Sequence, residues 1–183
     1  MEVKTGFLIP KGDAVQHFFG NCCNLITRIQ GGLLVHGRYG AEASVGFLYK
    51  SGWAAGTLTG ETSHDRFNFI LIPMETNFAW RLHYWSWDYV VPYLKAGIDY
   101  VFFREGLSGK STKGMKYGVH GVAGVQIDMK LIDEGAIKGL DDDFGINDLF
   151  LTLEAQYQYI NNFGGQGLNL SGPVYSIGLL FEF

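Results

Sequence analysis

Residues Tyr175–Phe183 change character at every step. Tyr175, Ile177, Leu179, Phe181 and Phe183 fall in one row, and Ser176, Gly178, Leu180 and Glu182 in the other. A period of two is that of a β-strand, whose successive side chains leave opposite faces of a sheet. One face of this strand is therefore apolar and aromatic, and the other is small or polar apart from Leu180. A strand that stops on an aromatic would fray in water, whereas an aromatic at a bilayer interface is an anchor. The pattern thus constrains the solvent of the chain as much as its fold.

The same alternation recurs in seven further segments. Val3, Thr5, Phe7 and Ile9 oppose Lys4 and Gly6. Leu33, Val35 and Tyr39 oppose His36 and Arg38, and Ala41, Ala43, Val45, Phe47 and Tyr49 oppose Glu42, Ser44 and Lys50. The fourth segment places Ile70, Ile72, Met74, Phe78 and Trp80 against Glu75, Asn77 and Arg81, with Pro73 inside it. A central proline removes a ladder donor, so a bulge or break is expected there. Segments 90–103, 117–130 and 149–160 complete the set. Strands of about 9–11 residues cross a bilayer at a tilt, whereas soluble strands average nearer 5–6. These segments belong to the longer class.

Composition agrees. Of 183 residues 26 are Gly, about twice the usual share of roughly 7%, which suits curved strands in a closed sheet. Mean hydropathy is only +0.06 although 47% of residues are hydrophobic, as half-apolar strands require. No run reaches the ~18 apolar residues of a membrane-spanning helix. No signal peptide is visible, because Glu2 and Lys4 follow Met1 and the apolar run at Phe7–Ile9 is short. Export would therefore imply a leader removed ahead of Met1. The net charge of −4 and the lack of a basic stripe exclude nucleic acid as an expected partner.

The expected fold is all-β: one domain over residues 1–183, a closed antiparallel eight-stranded transmembrane barrel with one short helix between strands six and seven. Segments 11–32, 52–65, 105–116 and 161–172 read as long loops, and the connections near Gly40 and Ser86–Tyr89 as short turns. Long loops outside and short turns on the periplasmic side are the usual asymmetry, which puts both termini in the periplasm. Leu131–Phe144 reads as the helix: Ile132, Ala136, Ile137 and Leu140 could share a face, and Asp133 and Glu134 suit its first turn. It would lie in the interface or plug the barrel end.

The inward rows carry Lys4, Arg38, Glu42, Lys50, Glu75, Arg81, Lys95, Asp99, Asp128, Glu154 and Glu182. Mixed signs in a narrow lumen are expected to form an ion-pair network, since an unpaired buried charge is costly. No Ser lies two residues from His83 or His120, and Ser63 and His64 are adjacent and so point apart. No catalytic residue is assigned, and ordinary lumen and loop histidines are expected. Asp141, Asp142 and Asp143 with Asn147 and Asp148 miss the spacing of a calcium loop. A solvated acidic turn is expected, with no metal and no cofactor. Adjacent Cys22 and Cys23 are expected to be free thiols. Trp80, Tyr84, Trp85, Trp87, Tyr89 and Tyr93 cluster around one short turn and read as an interfacial aromatic girdle.

The start Gly6–Asp13, the strand Val91–Tyr100 and the terminal Phe183 resemble the small outer-membrane β-barrels of Gram-negative bacteria, of the outer membrane protein W and outer membrane protein A membrane-domain type. The resemblance implies that Tyr175, Ile177, Leu179, Phe181 and Phe183 form the signal read by the barrel-insertion machinery. It implies outer-membrane lipid and lipopolysaccharide as surroundings, and a protein partner in a larger envelope assembly as a further contact. The expected role is non-enzymatic: structural, anchoring or partner-binding. Passage of small hydrophobic solutes is one alternative, which the inward Leu8, Leu48 and Phe103 would serve, and a membrane-lipid-modifying enzyme is another.

Overall fold

The structure, a computed structural model, describes residues 1–9, 24–36, 38–55, 62–82, 89–107, 110–163 and 169–183. Eight strands follow one another: β1 (Glu2–Leu8), β2 (Asn24–Val35), β3 (Tyr39–Ala55), β4 (Thr62–Arg81), β5 (Val90–Leu107), β6 (Lys110–Asp128), β7 (Asp148–Ile160) and β8 (Gly172–Glu182). Each pairs antiparallel with the next. β8 returns to β1 with Val3 opposite Leu179 and Phe7 opposite Tyr175, which closes the barrel. Closure gives every strand a hydrogen-bonded neighbour on each side around the barrel, and the extended ends of β3 and β6 run past β2 and β7. Val3, Phe7, Leu25, Ile29, Ile98 and Ile177 are among the large apolar side chains that stay exposed on the outer wall.

Several sequence expectations shift, beginning with the β2–β3 turn, which falls between Val35 and Tyr39 and leaves Gly40 in β3 opposite Leu34. Residues 24–32 are strand, not loop, so β2 begins at Asn24. Its alternation of Leu25, Thr27 and Ile29 against Ile26, Arg28 and Gln30 is interrupted by Gly31-Gly32, which hides the period. Parts of the expected loops 52–65 and 105–116 are also strand, because β3 to β6 run for 17, 20, 18 and 19 residues. Finally, β4 passes Pro73 with the expected local break, since Gly46–Pro73 and Phe47–Ile72 drop out of the β3–β4 pairing, but without a bulge. The β3–β4 register is the same on both sides, Val45 opposite Met74 and Leu48 opposite Leu71. The β5 side stays paired through Pro73 and Val101. Gly46 makes this affordable in space: a Cβ there would lie 2.9 Å from the proline ring and 2.9 Å from Arg28. The register shift sits instead between Trp53 and Ala55.

The helix, α1, spans Glu134–Phe144. A 3-10 turn at Met129–Leu131 precedes it, with the Asp128 carboxylate accepting from the Lys130 backbone N–H. That turn ends at Ile132, which is exposed, so Ile132 does not share the buried face expected of it; Ile137 does. Gly145 stops the helix with a φ of +67° and an N–H bond to the Asp141 carbonyl at 2.9 Å, the left-handed cap that glycine adopts without a side-chain clash. Asp141, Asp142 and Asp143 are solvent-exposed in its last turn. The side chains of Lys130 and Asp148 pair and tie the turn to β7.

Candidate functional site

Two kinds of side chain fill the barrel in separate layers. Toward the β3–β4 and β5–β6 hairpin tips, Leu8, Ile26, Leu48, Phe69, Leu71, Val101, Ile160, Leu170 and Val174 form a buried apolar plug. Phe103 packs against it, its ring 6.2 Å from that of Phe69. Leu170 is drawn in by the residues ahead of β8. Its N–H bonds the Ile160 carbonyl, and its own carbonyl accepts from Gln158 at 2.9 Å. Each such apolar side chain removed from water contributes roughly 1.5–3 kcal/mol.

Below the plug lies a charged belt. Lys4 donates to Glu154 at 2.7 Å and to Gln30 at 3.0 Å. Lys95 lies 3.0 Å from Glu154, 2.9 Å from Glu42, and 4.8 Å above the centre of the Tyr93 ring. Glu154 also accepts from the Tyr93 hydroxyl at 2.9 Å, so one carboxylate joins β1, β5 and β7. Glu2 accepts from Thr152 at 2.7 Å and Gln30 at 2.9 Å. One rung nearer the plug, Arg28 reaches past β3 to Glu75 on β4 at 3.1 Å and donates to Gln156 on β7 at 3.2 Å. Ser44 donates to the same Glu75 at 3.0 Å. Asp99 meets Nδ1 of His120 at 2.8 Å, and the other ring nitrogen faces the Asn77 side-chain oxygen. All these charged groups except Glu42 are buried, so each is held by partners rather than by bulk water.

Of the residues expected in the lumen, Lys4, Glu42, Glu75, Lys95, Asp99 and Glu154 meet in this belt. Arg81 and Glu182 pair at the end that carries the termini, with the Arg81 guanidinium 5.9 Å from the Phe150 ring centre. Asp128 caps the 3-10 turn. Arg38 is the exception. Its N–H closes the β2–β3 turn onto the Val35 carbonyl, so the strand period ends before it and the side chain is exposed. Glu2, Arg28 and Gln30 belong to the belt and were not anticipated. Glu2 shares the parity of Lys4, and the other two sit on the stretch of β2 whose sequence reads as loop. Between Met1, Glu2, Gln30, Glu42, Arg81 and Glu182 a cavity of about 390 Å³ opens at the mouth.

The girdle is also revised. Trp80 and Tyr89 are exposed on the outer wall, and Trp80 stacks on Tyr39 at 6.4 Å. Tyr93 is 1% exposed and points inward. It shares the parity of Val91 and Lys95, and the strand period overrides its nearness in sequence to the other aromatics. Tyr84, Trp85 and Trp87 lie outside the described residues, as do Cys22 and Cys23. Tyr175, Ile177 and Leu179 are exposed on the outer face of β8, Phe181 is half-buried, and Phe183 is 71% exposed.

No family model matches the sequence, and no curated protein does. Solved structures are similar at the level of fold. Neisserial surface protein A (NspA) aligns over 100% of this chain and 95% of its own, with TM-score 0.63 and 13% identity. The N-terminal β-barrel domain of Pseudomonas aeruginosa OprF aligns over 100% and 96%, with TM-score 0.55 and 11% identity. Ail, the attachment invasion locus protein of Yersinia pestis, aligns over 100% and 97%, with TM-score 0.50 and 13% identity. Strand number, antiparallel order and closure coincide, and the chain has the fold of the small eight-stranded outer-membrane β-barrels.

Proposed function

We propose that the protein is an integral outer-membrane barrel whose role is structural, anchoring or partner-binding rather than catalytic. The observation that carries this reading is the filled interior: a charged belt joined by hydrogen bonds across the barrel, sealed on one side by an apolar plug. An eight-stranded barrel has room for its own side chains and little else. Leu8, Leu48 and Phe103, the residues that would line a path for hydrophobic solutes, are packed into the plug. The side chain of His120 is 0% exposed and already engaged by Asp99, so no substrate reaches it.

Lipid contact is supported by the outer wall, where large apolar side chains stand exposed on all eight strands. Crossing a bilayer takes about 9–11 residues per strand, and β3 to β6 run for 17 to 20. The surplus extends β3 to β6 beyond the bilayer, away from the termini, and offers a surface for a partner. This reading puts the termini and α1 in the periplasm, the last strand before the insertion machinery, and lipopolysaccharide around the outer rim. Planar-bilayer recording of the refolded protein tests it. We expect heat-modifiable, folded protein that gives no steady ohmic conductance. A persistent open channel would overturn the closed-lumen reading, and abundant folded monomer in detergent-free buffer would overturn the membrane reading itself.

A further inference from the structure

On the outer wall, β5 and β6 bring two cations face to face. Arg104 is directly opposite Lys113 in the register, and both are exposed. Like charges in that position repel and destabilise a sheet. Neither makes an ion pair among the described residues; Arg104 donates only to the Ser111 hydroxyl, at 3.2 Å. Glu105, the neighbouring carboxylate in sequence, belongs to the inward row. The rungs below are Phe102 opposite Met115 and Tyr100 opposite Tyr117, all four exposed on the same wall. Aromatic rows of this kind mark the edge of the hydrocarbon, so the cations stand at headgroup depth. In the rung above, Gly106 faces Ser111. A Cβ on Gly106 would meet nothing closer than 3.9 Å, which leaves room beside the pair.

We propose that Arg104 and Lys113 form a clamp for the phosphate monoester of a membrane lipid headgroup. A guanidinium matches phosphate oxygens through paired N–H donors, and an ammonium adds a point charge. The Ser111 hydroxyl supplies a further donor. A bridging phosphate converts the repulsion between the cations into attraction to a shared anion, which accounts for their placement. The proposal rests on the membrane reading above and goes beyond it by naming a site and a ligand chemistry.

The test is a change of sign. The full chain is refolded into phosphatidylcholine vesicles with and without admixed phosphatidic acid, and its urea unfolding is followed. In phosphatidylcholine alone, Lys113→Gln should be at least as stable as the parent, because it removes the repulsion. With phosphatidic acid at ten times its dissociation constant, the parent's folding equilibrium constant should rise about ten-fold, and Lys113→Gln and Arg104→Gln should gain little. Inorganic phosphate added to phosphatidylcholine vesicles should not reproduce the gain; if it does, a free-anion site replaces the lipid clamp. Equal gains in parent and variants would overturn the proposal while leaving the membrane reading intact. Failure of the parent to fold into either vesicle would instead refute the membrane reading.

Discussion

At the scale of single residues, partners inside the barrel decide what a charge is worth. Arg28 and Arg38 are ten positions apart, yet one is buried in the lumen against Glu75 and the other stands in an exposed turn. Arg28→Ala removes the ion-pair partner of buried Glu75 and leaves it the neutral donors Ser44 and Gln156 with Lys4 farther off, so about 3–5 kcal/mol of stability should be lost. Arg38→Ala should change stability by no more than about 0.5 kcal/mol. Urea unfolding of both variants from vesicles measures the contrast, and equal small effects would mean that the lumen is wet enough to solvate Glu75. The inward position of Lys4, Lys95 and Glu154 was legible, because parity alone assigns a face. Their mutual pairing was not, because sequence does not say which inward residues of β1, β5 and β7 stand at one height.

At the scale of elements, glycine separates the two faces of the sheet. Gly97 on β5 lies opposite His120, and a Cβ there would fall 2.2 Å from the Thr76 carbonyl oxygen and 2.9 Å from the imidazole. Gly97→Ala should therefore push the Asn77–His120–Asp99 contacts apart and cost about 1–3 kcal/mol, the usual penalty for overpacking. Gly121 is exposed on the outer wall of β6, and an added Cβ meets nothing within 4 Å. Gly121→Ala should be neutral or stabilise by up to about 1 kcal/mol, through the unfolded chain. Thermal unfolding in one detergent ranks the two, and the reverse order would mean that the inward and outward rows are exchanged. Pro73 teaches a related lesson. Its missing donor does interrupt the pairing with β3, but the space left by Gly46 on that strand accommodates the ring, so the register resumes unchanged and no bulge is needed.

At the scale of the whole molecule, the outer wall and the direction of insertion are the open tests. Ile98 is 49% exposed midway along β5, between Thr76 and Val119. If that wall faces hydrocarbon, Ile98→Arg should destabilise the barrel by about 2–4 kcal/mol in vesicles. A water-facing site would tolerate the same change within about 0.5 kcal/mol, so a null result removes the lipid contact. Orientation can be read by maleimide labelling of intact cells, in a background where Cys22 and Cys23 are replaced by Ser. Phe163→Cys, at the exposed end of β7, should label, and Gly139→Cys, on the exposed face of α1, should not. Labelling of Gly139→Cys alone would invert the topology.

The strand period, read from the sequence alone, determined most of the wall, except the first part of β2 and the extended ends of β3 to β6. A two-residue alternation assigns every side chain of a strand to lumen or lipid without knowledge of its neighbours, and strand length together with glycine content pointed to a closed membrane barrel. Tertiary structure decided everything that depends on height. Which inward charges meet, that Glu2, Arg28 and Gln30 join them, that Leu170 folds back into the plug, and that Arg104 faces Lys113 all follow from register between strands. Register is set by long-range pairing and by where glycines and turns let the chain close, and no local run of residues records it.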